Sequence, residues 1–106
     1  WKLDVTPERV SSLTVRYQAR LHGEDEVGEK SLLLQLMDWE GKNWVTVFVL
    51  PGISDGKVKI HHEIAPANFI SRNGREVLLR IVAFGAQAAS APTLETDQLS
   101  LDVKRN

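Results

Sequence analysis

"LLLQLMDWEGKNWVTVFVL", residues 32–50, decides the fold class. Two apolar runs flank a short polar turn, and Trp39 and Trp44 bracket that turn. The pattern reads as a strand over about residues 31–39, a turn near "EGKN", and a second strand over 44–50. Gly41 and Asn43 offer the backbone freedom that a hairpin connection of this length needs. Each tryptophan has two readings. An exposed indole can stack on a sugar ring with its broad apolar face. Alternatively, cross-strand aromatics stabilise the hairpin by packing in or beside the core. Large aromatics are mostly buried, which favours the core.

Working outward, period-two alternation recurs and no long segment has helical periodicity. In "LTVRYQARL", Leu13, Val15, Tyr17, Ala19 and Leu21 are apolar, while Thr14, Arg16, Gln18 and Arg20 are polar. One face of that strand belongs on a core and the other in water. "WKLDV" repeats the phase briefly. "KVKIHHEI" sets Val58, Ile60, His62 and Ile64 against Lys59, His61 and Glu63. "REVLLRIVAF" is a further strand, and "QLSLDV" closes the chain with Leu99, Leu101 and Val103 in phase. "PGISDG" is turn chemistry, and "APANFISRNG" is a loop with one helical turn. "HGEDEVGEK" is a charged loop, and "GAQAASAPTLET" a long loop of small residues. Short strands at this spacing predict an antiparallel β-sandwich.

The 106 residues make one domain, 1–106, with an ordinary apolar fraction of 42% and a charged fraction of 25%. The formal net charge of −1 gives no bulk attraction to nucleic acid or an anionic membrane. No apolar run reaches the length of a membrane span. The absence of cysteine excludes a disulfide framework, a thiolate zinc site and a cysteine nucleophile. A first residue of Trp1 rather than Met leads us to expect a fragment of a larger protein.

The strand order, read as "VSSLTVRYQARL", "LLLQLMDWEGKNWV", "PANFISRNGREVLLRIVAF" and "TDQLSLDV", resembles the galactose-binding-like jelly-roll modules. These occur as accessory domains of secreted bacterial proteins. Asp38, Trp39 and Trp44 stand where such modules carry Asn-Trp, a short turn and a second Trp. Phe69, Ile70 and residues 74–81 match their loop and following strand, and residues 97–103 their closing strand. The resemblance runs from Val10 onward. It implies an all-β jelly roll of about seven to eight strands, a non-catalytic role, and an extracellular, periplasmic or cell-surface location. Modules of this kind often hold a structural calcium. Glu24, Asp25, Glu26 and Glu29 in "GEDEVGE" supply oxygens, but the alternating Asp/Asn and Gly spacing of a calcium loop is missing. A solvated acidic loop and no cofactor are therefore expected.

His61 and His62 point to opposite faces of a strand and cannot readily share an ion. His61 and Glu63 share a face, but a third ligand such as His22 is not brought there by the sequence, so no metal is expected. No nucleophile elbow, phosphate loop or assignable carboxylate pair is present, so the chain is not expected to be an enzyme. Two strands carry apolar residues on both faces, which a two-layer sandwich does not require. Phe48, Leu50, Leu78, Val82 and Phe84 on these strands are the candidate interaction face. The alternative is coverage by the chain's own N-terminal segment and loops.

The expected function is an accessory module of an exported protein that contacts a neighbouring domain or a partner protein. The alternative is carbohydrate or polysaccharide binding through Trp39, Trp44 and Tyr17.

Overall fold

The computed structural model describes residues 1–22, 30–53, 56–85 and 93–106. Among these, one 3₁₀ turn at Pro7–Arg9 precedes six strands: β1 (Val10–His22), β2 (Lys30–Asp38), β3 (Asn43–Ile53), β4 (Lys57–Ile64), β5 (Leu79–Gly85) and β6 (Thr93–Arg105). They form two antiparallel three-stranded sheets, ordered β4-β1-β6 and β3-β2-β5. The architecture is all-β and sandwich-like, since the inner faces of both sheets share one hydrophobic cluster. Seven or eight strands are expected from the sequence. "WKLDV" contributes one isolated bridge, Lys2 to Glu76, rather than a strand, and "REVLLRIVAF" enters the ladder at Leu79.

The two central strands carry the core. Leu13, Val15, Tyr17, Ala19 and Leu21 of β1 are buried, as are Leu32, Leu34 and Leu36 of β2. Val58, Ile60 and Ile64 complete the layer from β4. Burying each such side chain stabilises the fold by about 1.5–3 kcal/mol relative to exposure. The β6 positions paired with this face, Leu99, Leu101 and Val103, are less covered, and Leu99 remains 40% exposed.

Bulges shift the phase that simple alternation predicts. Leu34 pairs with Phe48 but Gln35 pairs with Thr46, so Val47 is an extra residue in β3. Trp44 and Thr46 therefore lie on the outer face, while Phe48 and Leu50 turn inward against the core. On β6, Asp97 is extra in the same way, because Gln18 pairs with Gln98 and Ala19 with Thr96. Thr96 thereby joins the inner phase, and its hydroxyl lies 2.9 Å from the buried Tyr17 hydroxyl. β3 continues through Pro51 and Gly52 to Ile53, beyond the turn expected at "PGI". As an edge strand it tolerates a residue with no N–H.

The β2–β3 turn is held by Asp38, whose Oδ1 accepts the Glu40 and Gly41 N–H groups at 3.0 Å each. The left-handed residue is Lys42, with φ 55, and not Gly41. A larger residue at Gly41 would have to push the Asn43 side chain aside. A Cβ there would stand 2.5 Å from Asn43 Oδ1.

Residues 65–78 cross one end of the sheets, anchored by buried Ile70 and Val77. The Val77 N–H donates to the Trp1 carbonyl and the Leu3 N–H to the Arg75 carbonyl, each at 2.7 Å. The loop with Glu24, Asp25, Glu26 and Glu29, and residues 86–92 of the Ala-rich loop, lie outside the described residues.

Candidate functional site

The outer face of the β3-β2-β5 sheet is built in three cross-strand rows. Register sets Val49, Leu33 and Val82 side by side, then Thr46, Gln35 and Arg80, then Trp44 and Met37. Leu78 adjoins the third row, where its carbonyl accepts the Met37 N–H at 3.0 Å. This arrangement follows from β2 itself. Its even positions Leu32, Leu34 and Leu36 are spent on the core, so Leu33, Gln35 and Met37 must face outward. Val49 is 49% and Leu78 39% exposed.

The polar middle row is internally bonded. The Gln35 Nε2 donates to Thr46 Oγ1 at 2.9 Å, and Arg80 Nε donates to Gln35 Oε1 at 2.6 Å. The Arg80 guanidinium also lies 4.5 Å from the Trp44 ring centroid, a cation–π geometry. The face is thus an apolar patch crossed by one polar row that ends in a cation.

A second feature is an open cleft of about 810 Å³ at the end crossed by residues 65–78. Pro7 and Glu8 line one side, and Trp39 and Glu40 of the hairpin turn another. The rest comes from the crossing loop, chiefly Asn68, Ser71, Arg72, Asn73 and Glu76. Trp39 is fixed there by its backbone N–H to Asn68 O at 3.0 Å and its indole N–H to Phe69 O at 3.2 Å. The loop is itself closed by Ser71, whose N–H donates to Glu76 O and whose Oγ accepts the Glu76 N–H, both at 2.9 Å. Ala67 in the cleft wall and the neighbouring Arg75 are left-handed, with φ 38 and 52. Such backbone strain clusters at ligand clamps. The volume falls in the ordinary range of small-molecule pockets, about 300–1,000 Å³.

The three residues proposed for ligand stacking are separated by the fold. Trp39 lines the cleft, and Trp44 lies on the outer sheet face beneath Arg80. Tyr17 is 2% exposed, so its ring is not available to a ligand; it stands in the core phase of β1. The residues proposed as an interaction face are also divided. Leu78 and Val82 belong to the outer face, Phe48 and Leu50 pack inward because of the Val47 bulge, and Phe84 occupies the register position opposite Ser31. Leu33, Met37, Val49 and Arg80 complete the outer face and were not singled out from the sequence. For Leu33 and Met37 the signal was the odd phase of "LLLQLM" once the even phase is given to the core.

His62 packs its ring 4.8 Å from that of Phe48, while His61 and Glu63 point outward on β4. Among the described residues no three His, Asp or Glu side chains come together to hold a metal ion. No helix among them is long and apolar enough to cross a membrane. No family model matches the chain, and neither a curated protein nor a solved structure matches it.

Proposed function

We propose that this chain is a non-catalytic accessory module of an exported protein, with the galactose-binding-like jelly roll as its architecture. It acts by docking the outer face of the β3-β2-β5 sheet onto a neighbouring domain or a partner protein. One observation carries this reading: Val49 and Leu78 stand exposed on a face whose two apolar rows, Val49–Leu33–Val82 and Trp44–Met37–Leu78, flank one polar row. Contiguous apolar patches with polar residues among them are typical of protein contact sites. Arg80 makes no ion pair with a described residue, so the complementary surface is apolar with one carboxylate placed over the Arg80–Trp44 stack.

The test combines an apolar-surface dye with sedimentation of the protein over a range of concentrations. Dye binding that disappears in Val49→Asp/Leu78→Asp supports the docking face. A strictly monomeric protein that binds no dye would overturn it.

A second reading rests on the cleft. Trp39, with the amide and carboxylate side chains around it, has the mixture of flat apolar surface and hydrogen-bonding groups that sugars use. Titration with neutral oligosaccharides, read by tryptophan fluorescence, tests this reading. A response lost in Trp39→Ala favours it, and no response from any glycan sinks it.

A further inference from the structure

The outer face of the β4-β1-β6 sheet has a different chemistry from the docking face. Cross-strand register sets Arg16 opposite His61, Gln18 opposite Lys59 and Arg20 opposite Lys57. All six side chains are exposed. Three acidic residues share the face: Glu63 of β4 opposite Thr14, and on β6 Asp102 opposite Thr14 and Glu95 opposite Arg20. The β1–β4 half of the face thus carries Arg16, Arg20, Lys57 and Lys59 against the single carboxylate of Glu63.

Four of these side chains converge, joined by Gln98 of β6. Arg16, Gln18, Lys59, His61 and Gln98 surround a shallow pocket of about 280 Å³. Arg16 pairs through Nε with Asp102 at 3.0 Å and retains four further N–H donors. The Lys59, His61, Gln18 and Gln98 side chains hold no hydrogen bond or ion pair among the described residues. No carboxylate lines the pocket. Its chemistry is an excess of N–H donors with positive charge, whose complement is an acceptor-rich anion. Rows two residues apart on a strand are separated by about 6.8 Å, so the Arg16 and Lys59 rows can reach oxygens of a single group from two sides.

From this arrangement we infer that the pocket binds one oxyanion group, a phosphate, sulfate or carboxylate, either free or carried on an acidic sugar. The anion gives Lys59 the partner it lacks and takes up Arg16 N–H donors that Asp102 leaves free. The site is independent of both the apolar docking face and the Trp39 cleft.

The experiment is a titration of ¹⁵N-labelled protein with sodium sulfate and sodium phosphate, against sodium chloride at matched ionic strength. Glucuronate and a sulfated monosaccharide follow. The expected result is saturable movement of the backbone amides of residues 16–18 and 59–61 and of the Gln18 and Gln98 side-chain amides. Lys59→Gln weakens it by up to about fivefold, the upper range of one exposed ion pair. Lys104→Gln, on the far strand of the same sheet, leaves it unchanged. Saturation by the inorganic anions alone identifies a free-anion site, and tighter binding of the acidic sugars identifies a saccharide site. Either supports the inference. Shifts that stay linear and spread over all exposed cations, or equal binding by Lys59→Gln, would overturn it.

Discussion

At the scale of single residues, the consequences lie in a few polar and turn positions. Tyr17 is the largest fully buried side chain among the described residues, and its hydroxyl meets Thr96. Tyr17→Phe should cost about 0.5–1.5 kcal/mol, the net value of one hydrogen bond, as read by urea denaturation. Ser12 Oγ is buried without a hydrogen-bond partner among the described residues. Ser12→Ala should therefore be neutral or stabilising, since it removes a desolvated polar group. In the hairpin turn, Lys42→Gly should raise stability by about 0.5–1 kcal/mol by relieving the left-handed conformation. Gly41→Ala should lower it, because the methyl group meets Asn43. Thermal melts of the pair distinguish the two roles. Residue identity alone placed the turn correctly but gave the freedom to Gly41, since glycine is the usual left-handed residue. The Asp38 side chain fixes a turn in which the fourth residue is left-handed, and that is a property of the bonded loop.

At the scale of elements, the bulges decide which side chains meet the core. The buried faces of β1, β2 and β4 were legible because one phase is apolar throughout in β1 and β2 and, in β4, apolar but for His62. β3 was not, because "WVTVFVLP" is apolar in both phases and carries no mark of an extra residue at Val47. The assignment of Phe48 and Leu50 to an outer face failed at this point. The same ambiguity hid Val49. The bulge makes a sharp prediction. Phe48→Lys should cost about 2–4 kcal/mol, since it buries a charge against His62 and the core. Val49→Lys should stay within about 0.5 kcal/mol. Comparable losses from both would mean that β3 lacks the bulge. The cleft was largely illegible for a different reason. Its wall is a loop held by backbone bonds of Ser71, Asn68 and Trp39, and such bonds leave no periodic trace in sequence.

At the scale of the whole molecule, the two sheets present opposite chemistry to their surroundings. One outer face is charged and the other is apolar around a single bonded polar row. Val49→Asp/Leu78→Asp should abolish contact through the apolar face while leaving the thermal midpoint nearly unchanged, because neither side chain belongs to the core. A large loss of stability would instead mean that these residues support the fold.

The placement of β1 has a consequence in time. β1, residues 10–22, is the centre of its sheet, yet its partners are residues 57–64 and 93–105. During synthesis it must wait for both, and the longer ladder can close only when the last strand has emerged. Contacts so distant in sequence place refolding in roughly the millisecond-to-second range of all-β domains. A chain ending before residue 93 should show no cooperative unfolding transition by circular dichroism. Until β6 arrives, β1 offers one open edge to any strand nearby, including that of another nascent copy.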